Sequence, residues 1–370
     1  MRDSKAGVKV ALFLPTLGGG GAERVMVNLA QAFAERGLSV DLVVAKAEGP
    51  LLASVPPEVR LINLNGKRVL TSLPALVGYL RREQPRALLS ALDYANVVTL
   101  CARRLASKQG RIVVSEHNTL SMNASRSNTA SGRVMPWLAR ALYPMADAIV
   151  AVSHGVAVDL AKVTGLPRER ITVIYNPVVS PKVLRLANEL NPHPWLAPGE
   201  LPVILGVGRL TAAKDFPTLL RAFALVRPTC SARLVVLGEG DERARLAALA
   251  SELGIQDYVS MPGYVDNPYA YMARASLFVL SSMWEGLPTV LVETMALGTP
   301  VIATDCPSGP AEILEDGKWG QLVPVGDHKA LADAITNELI CPQERLGLAE
   351  RAQVFEVNAV AEKYLEILLQ

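Results

Sequence analysis

Two glutamates eight residues apart, Glu285 and Glu293, stand in the run from Leu280 to Gly298, and a glycine, a leucine and a proline directly follow the first. An apolar stretch, 276–280, precedes them. Pro288 falls where a first helical residue is tolerated and Gly298 where a helix would end, so the run reads as strand, loop and helix. A helix entered through Glu285, Gly286, Leu287 and Pro288 offers unpaired backbone N–H groups and the positive end of its dipole, which suits an anion such as phosphate. Glu285 then lies in the loop beside that anion. Glu293 lies in the second turn, where a carboxylate can accept hydrogen bonds from two adjacent hydroxyls, as on a ribose or a hexose. The plain alternative, a capped surface helix with solvated glutamates, fits one glutamate alone better than it fits loop, proline and pair together.

Two cations, Arg209 and Lys214, follow the apolar strand 203–207 and precede a helix that begins near Asp215. A guanidinium can bind two oxygens of a diphosphate at once and an ammonium adds a point charge; a pair of solvated surface charges is the alternative. His117 ends the strand 112–115, inside Ser115-Glu116-His117-Asn118. A lone His is more often structural, but the carboxyl end of a strand in an open α/β sheet is where ligands bind. Glu116 has two open readings, orienting His117 or facing solvent. Gly18, Gly19, Gly20 and Gly21 remove every β-carbon from the loop after the first strand, so backbone can approach a ligand closely. This is not the dinucleotide fingerprint. Glu23 stands where its third Gly should be, and no acidic residue ends the second strand to hold an NAD ribose.

The elements that must position these groups alternate. At 370 residues the chain exceeds what one core usually serves, which predicts two domains. Apolar strands are expected at 8–14, 40–45, 87–90, 111–115 and 147–152, with helices near 22–36, 74–84, 93–107, 134–143 and 154–164. After a segment rich in proline (Pro181, Pro192, Pro194, Pro198 and Pro202 around Gly199) the rhythm restarts. Strands are expected there at 202–207, 232–237, 257–260, 276–280, 300–304 and 320–323. Such alternation means parallel, doubly wound α/β sheets. The expected division is 1–180, a linker at 181–201, a second domain at 202–354 and an amphipathic helix within 355–370, with ligands in a cleft shared by the two domains.

The run from Glu285 to Glu293 resembles the Glu-x7-Glu motif of retaining GT-B glycosyltransferases, family 4 in particular. The likeness extends through Gly18–Glu23, Ser115–Asn118, Val152-Ser153, Asn176-Pro177, Gly206–Leu210 with Lys214, and Pro262-Gly263-Tyr264. The resemblance implies two Rossmann-like domains, the first for the acceptor and the second for a nucleotide sugar, with the last helix crossing back onto the first. It implies that Arg209 and Lys214 hold the diphosphate leaving group, Glu285 the donor-sugar hydroxyls and Glu293 the ribose diol. Backbone from Gly286 through Leu287 and Pro288 to Thr289 would meet sugar or phosphate oxygens. Gly263, Tyr264 and Val265 would contact the base, His117 would lie near the anomeric carbon, and Gly18–Gly21 would approach diphosphate and acceptor. Ser308–Glu312 resembles a loop of UDP-sugar transferases in bacterial surface-polysaccharide assembly; a capped helix start is its equal competitor. The implied activity is retaining transfer of a hexose or N-acetylhexosamine from a UDP-sugar to an acceptor hydroxyl, on a lipid-linked glycan. No Asp-x-Asp occurs in the chain, so neither metal nor cofactor is expected, and cations with a helix dipole would stabilise the departing diphosphate. A non-hydrolysing UDP-sugar 2-epimerase is the rival enzyme. A non-catalytic binding module would be expected to lack Glu285, Arg209 or Lys214.

Charge and hydropathy bear on partners. Residues 1–180 carry 22 Lys and Arg against 12 Asp and Glu, a net +10, while 181–370 carry 15 against 23, a net −8. No nucleic-acid motif and few aromatics accompany the basic half, which favours an anionic membrane surface or a phosphorylated acceptor over nucleic acid. In the segment Ser72–Arg86, Leu73, Leu76, Val77 and Leu80 form an apolar face and Arg81, Arg82 and Arg86 a basic cluster, the pattern of a helix lying in a membrane interface. Packing of that face on the domain's own sheet is the alternative, and the charge of the whole domain tips the reading toward the membrane. No run approaches a membrane span, and Met1–Lys5 lacks a signal peptide's apolar region. A cytoplasmic protein, peripheral at the inner face of the plasma membrane, is expected. Cys101, Cys230, Cys306 and Cys341 are scattered and read as free thiols.

Overall fold

The computed structural model describes residues 7–106, 110–127, 129–190, 193–342 and 347–370. Met1–Lys5, Ser107 at the expected end of a helix, and Pro192 lie outside them. The chain folds as two units, Met1–Val178 with Phe355–Gln370, and Val179–Val354.

In the first unit, β1 (Lys9–Leu14), β2 (Ser39–Val44), β3 (Arg60–Asn63), β4 (Ala87–Ala91), β5 (Arg111–Glu116), β6 (Ala148–Ala151) and β7 (Ile171–Val173) form one sheet in the order β3-β2-β1-β4-β5-β6-β7. Every neighbouring pair is parallel. Five strands coincide with the apolar runs of the sequence; β3 and β7 do not. β7 is only three residues long. β3 reads Arg-Leu-Ile-Asn, too polar to stand out, and a side chain secures its pairing. The Nε and Nη2 of Arg60 donate to Asp41 on β2 at 2.7 and 2.6 Å, and Asp41 also accepts from Tyr79 Oη at 2.6 Å.

The helices Gly21–Ala34 and Val357–Leu368 cover one face of this sheet, over Val10, Leu12 and Leu14. In the last helix Val357, Val360, Ala361, Tyr364, Leu365 and Leu368 are buried, a stripe at helical spacing. Each fully buried leucine there contributes about 1.5 to 3 kcal/mol. The segment proposed from sequence as a membrane helix forms the helix Leu73–Glu83, but Leu76 and Leu80 are 0% and 3% exposed within the unit. Its apolar face therefore belongs to the protein's own core. Arg81 is likewise engaged, donating to Leu105 O at 2.6 Å.

In the second unit, β8 (Val203–Val207), β9 (Arg233–Leu237), β10 (Val259–Gly263), β11 (Leu277–Leu280), β12 (Val301–Thr304) and β13 (Gln321–Val323) form a parallel sheet in the order β10-β9-β8-β11-β12-β13. Strand growth reverses between β8 and β11, which makes their carboxyl ends the topological switch point. All six strands answer to apolar runs, with β10 displaced toward Gly263. The segment 181–201 is not bare linker. It carries the helix Pro181–Ala187, whose final carbonyls accept from Asn267 Nδ2 and Arg274 Nη1, both at 2.9 Å. Among the described residues no helix is long and apolar enough to cross a membrane, and all four cysteines are free.

Candidate functional site

Arg209 and Lys214 leave the end of β8, and Glu285 leaves the end of β11, the strand beside it. Lys214 Nζ donates to Glu285 Oε1 at 2.5 Å, and Ser282 Oγ donates to the same oxygen at 2.6 Å. Backbone ties keep the two loops in register: Met283 N donates to Ala213 O, and Ser281 Oγ to Lys214 O, both at 2.8 Å. The side chains of Lys214 and Glu285 are 20% and 11% exposed, so salt screens this pair less than one on the surface. Both of these contacts fall on Oε1, and the second oxygen of Glu285 has no hydrogen bond among the described residues. Arg209 is exposed and has no ion-pair partner among the described residues, leaving its guanidinium for an anion.

The helix Thr289–Ala296 starts at the same end, with Pro288 in the N-cap position and no side chain capping it. Its first turn therefore keeps donor capacity for a ligand. The loop before it is propped from β12: Ser308 Oγ donates to Gly286 O at 2.8 Å, and a β-carbon on Gly309, at φ +95°, would sit 2.5 Å from Pro288 Cδ. The helix Pro310–Leu314 follows directly. Ser308 and Gly309 thus act here as a brace. Glu293, one turn further in, is 5% exposed.

Sequence reasoning missed Gly238-Glu239-Gly240, the loop after β9, although glycine-x-glycine straight after an apolar strand was the available signal. Leu210 N donates to Glu239 O at 2.9 Å, and a β-carbon on Gly238, at φ +136°, would collide with Gly208 O. Close packing of these backbones fixes the path that carries Arg209. Gly238 N also donates to Gly263 O at 2.8 Å. Gly263 is buried, Val265 half-buried, and Tyr264 44% exposed, so the loop after β10 presents backbone and one aromatic edge.

In the first unit the groups at the strand ends are buried. His117, directly after β5, is 7% exposed, and burial lowers its pKa to about 4, so the ring is neutral at pH 7. Its Nε2 lies 3.1 Å from Ser115 Oγ, while Nδ1 is buried without a partner. Glu116 points inward, not to solvent. At 2% exposure its pKa is pushed up to about 8, by desolvation first and the nearby Asp93 second, against hydrogen bonds from Tyr143 and the backbone of His117 and Asn118. Tyr143 Oη donates to Glu116 Oε2 at 2.8 Å, and Asn96 Nδ2 donates to Tyr143 Oη at 3.1 Å and to Ser115 O at 2.9 Å. This network fixes the backbone on both sides of His117. In the loop after β1, Gly19 takes φ +86° and a β-carbon on Gly20 would collide with the Glu23 carboxylate. The helix Gly21–Ala34 therefore already has a negative charge in its first turn. That favours hydroxyl ligands there over phosphate.

Two parallel, doubly wound sheets with anion-suited loops at the carboxyl ends of the second define the GT-B class of fold. Sucrose-phosphate synthase from Thermosynechococcus elongatus shares it, with a TM-score of 0.81 and 22% identity over 97% of each chain. HepE of Anabaena, solved with UDP-glucose, superposes with a TM-score of 0.76 at 21% identity over 97% of this chain and 98% of that one. At the level of sequence, residues 19–180 match the family model Glycosyltransferase Family 4, and residues 188–355 match Glycosyl transferases group 1. The chain belongs to this family of glycosyltransferases. It is 28% identical, over 98% of its length and 99% of the relative's, to the N-acetylgalactosamine-N,N'-diacetylbacillosaminyl-diphospho-undecaprenol 4-alpha-N-acetylgalactosaminyltransferase of Campylobacter jejuni. It is 29% identical, over 94% and 96%, to the lipopolysaccharide core biosynthesis glycosyltransferase LpsE of Rhizobium meliloti.

Proposed function

We propose that the protein transfers a hexose or N-acetylhexosamine from a UDP-sugar, with retention and without a metal, to a hydroxyl of a lipid-linked glycan. The observation that carries this reading is the Lys214–Glu285–Ser282 cluster at the β8–β11 switch point, with Arg209 open beside it. Arg209, Lys214 and the first turn at Thr289 neutralise the diphosphate as the bond to the anomeric carbon breaks, which is electrostatic stabilisation of the leaving group. Glu285 holds the sugar's hydroxyls through its free oxygen, and Glu293 holds the ribose diol. Gly263, Tyr264 and Val265 lie along the base, and His117 stands near the reacting carbon. The acceptor hydroxyl attacks from the face the diphosphate leaves, and a phosphate oxygen takes its proton. UDP is favoured because HepE was solved with UDP and UDP-glucose. The lipid-linked acceptor is favoured because the Campylobacter relative's name carries diphospho-undecaprenol. A thermal-shift panel of UDP, GDP and ADP in chelator tests the donor, since a ligand that binds only the folded state raises Tm by mass action. UDP should give the largest rise; a larger rise with GDP or ADP, or turnover only with added Mn2+ or Mg2+, overturns the reading.

The acceptor's setting points to an anionic membrane, and the structure offers a better face than the helix Leu73–Glu83. On the helix Ala130–Leu142, the exposed positions Arg133, Val134, Trp137 and Arg140 recur at helical spacing, with Trp137 74% and Val134 46% exposed. Val134 also lines an apolar hollow of about 260 Å³ together with Leu70, itself 55% exposed. A tryptophan flanked by arginines suits the headgroup boundary. Trp137→Ala should reduce pelleting with anionic liposomes at low salt; unchanged pelleting removes this face from the account.

A further inference from the structure

The last helix reaches the candidate reaction end of the first sheet through one hydroxyl. Tyr364 Oη, fully buried, lies 3.3 Å from Ser115 Oγ, which lies 3.1 Å from His117 Nε2. We propose that Tyr364 and Ser115 are positioning residues that fix the proton of His117 on Nδ1, so that the ring acts as a hydrogen-bond donor to a ligand oxygen and not as a base. This inference rests on the reading above that His117 faces the substrate.

The argument is an accounting of protons. Each hydroxyl has one hydrogen and can also accept. If Tyr364 donates to Ser115 and Ser115 donates to Nε2, both hydroxyl hydrogens are used and the ring's single proton sits on Nδ1. If the ring donates from Nε2, two groups go unmet: one hydroxyl hydrogen, of Tyr364 or of Ser115, has no acceptor among the described residues, and Nδ1 becomes an acceptor without a donor. A buried unsatisfied donor costs about 1 to 3 kcal/mol. The first arrangement leaves one orphan, the Nδ1–H, and Nδ1 is the ring atom found buried without a partner. A ligand oxygen would satisfy it. Burial also keeps the ring neutral at pH 7, so the choice between nitrogens is a real one.

The test is 15N NMR of the full chain labelled at histidine, with assignment by His117→Gln, alongside kinetics of Tyr364→Phe, Ser115→Ala and Ser115→Thr. Nδ1 of His117 should carry the proton in the wild type, and Tyr364→Phe should shift the ring toward the Nε2–H form. Both deletions should lower kcat by about three- to tenfold, the worth of one neutral hydrogen bond, with donor KM nearly unchanged, and Ser115→Thr should restore it. A wild-type ring protonated on Nε2 overturns the proposal, whether or not the variants fold. So does an unaltered tautomer together with wild-type kcat in Tyr364→Phe. Full activity of His117→Gln would instead overturn the substrate-facing role of His117 and leave the tautomer result standing.

Discussion

At the ends of β8 and β11 the candidate groups are ionised side chains on loops, half-open to water and held by an ammonium–carboxylate contact of 2.5 Å. At the end of β5 they are a neutral imidazole and a carboxyl held protonated, both nearly sealed from solvent. The two sheets share a winding pattern, so under the proposed function the difference lies in what their loops must recognise. A diphosphate leaving group demands fixed positive charge and donors. Sugar hydroxyls, which are uncharged, are better oriented by neutral partners in a dry setting, where each hydrogen bond counts for more.

The largest effect expected from disturbing this contrast is at Lys214. Lys214→Ala removes a leaving-group charge and strands the Glu285 carboxylate, so turnover should fall by about a hundredfold or more, the scale seen when one preorganised electrostatic group is lost. Initial rates of UDP release in the presence of acceptor would show it. A loss below tenfold would mean that Arg209 and the helix terminus suffice.

A smaller effect is expected at Glu116 and is read in stability. Its carboxyl titrates at about 8 in the folded protein, against about 4.3 in an unfolded chain. The folded state therefore holds this proton more tightly, and stability falls as pH rises through that window. His117 acts in the opposite sense: lowered to about 4 from about 6.5, it contributes stability above the higher value that is lost as pH falls through the lower. Glu116→Gln should flatten the decline of Tm between about pH 5 and pH 8 and leave the acid side, set by His117, in place. An unchanged alkaline slope would show that Glu116 is ionised in the folded protein.

The contrast also explains what could be read from the sequence. Strands such as β1 and β8 are continuous apolar runs because both faces are covered, and their loops announced Gly18–Gly21, Arg209 and Lys214 by position alone. β3 was hidden because its pairing depends on the Arg60 fork around Asp41, a contact 19 residues apart that no local pattern shows. The helix Leu73–Glu83 misled because an apolar face with arginines after it looks the same whether a core or a bilayer covers it. Glu116 stayed ambiguous because its partner Tyr143, and Asn96 which donates to Tyr143, lie far from it along the chain, and Ser282 was passed over because a serine before a motif is common. Tyr364 was invisible as a site residue, since a tyrosine in an amphipathic stripe reads as core.

The central claim is that the two glutamates of one loop and helix serve different parts of one nucleotide sugar: Glu285, paired to Lys214 at the loop, the sugar; Glu293, 5% exposed in the second turn, the ribose. Titration calorimetry of UDP into the wild type, Glu285→Ala and Glu293→Ala, in chelator, tests it most directly. Glu293→Ala should weaken UDP by roughly tenfold to more than a hundredfold, the worth of about 1.5 to 3 kcal/mol for a hydrogen bond to a charged group. Glu285→Ala should bind UDP within about threefold of wild type while losing turnover. Equal loss of UDP affinity in the two variants would contradict the division of roles.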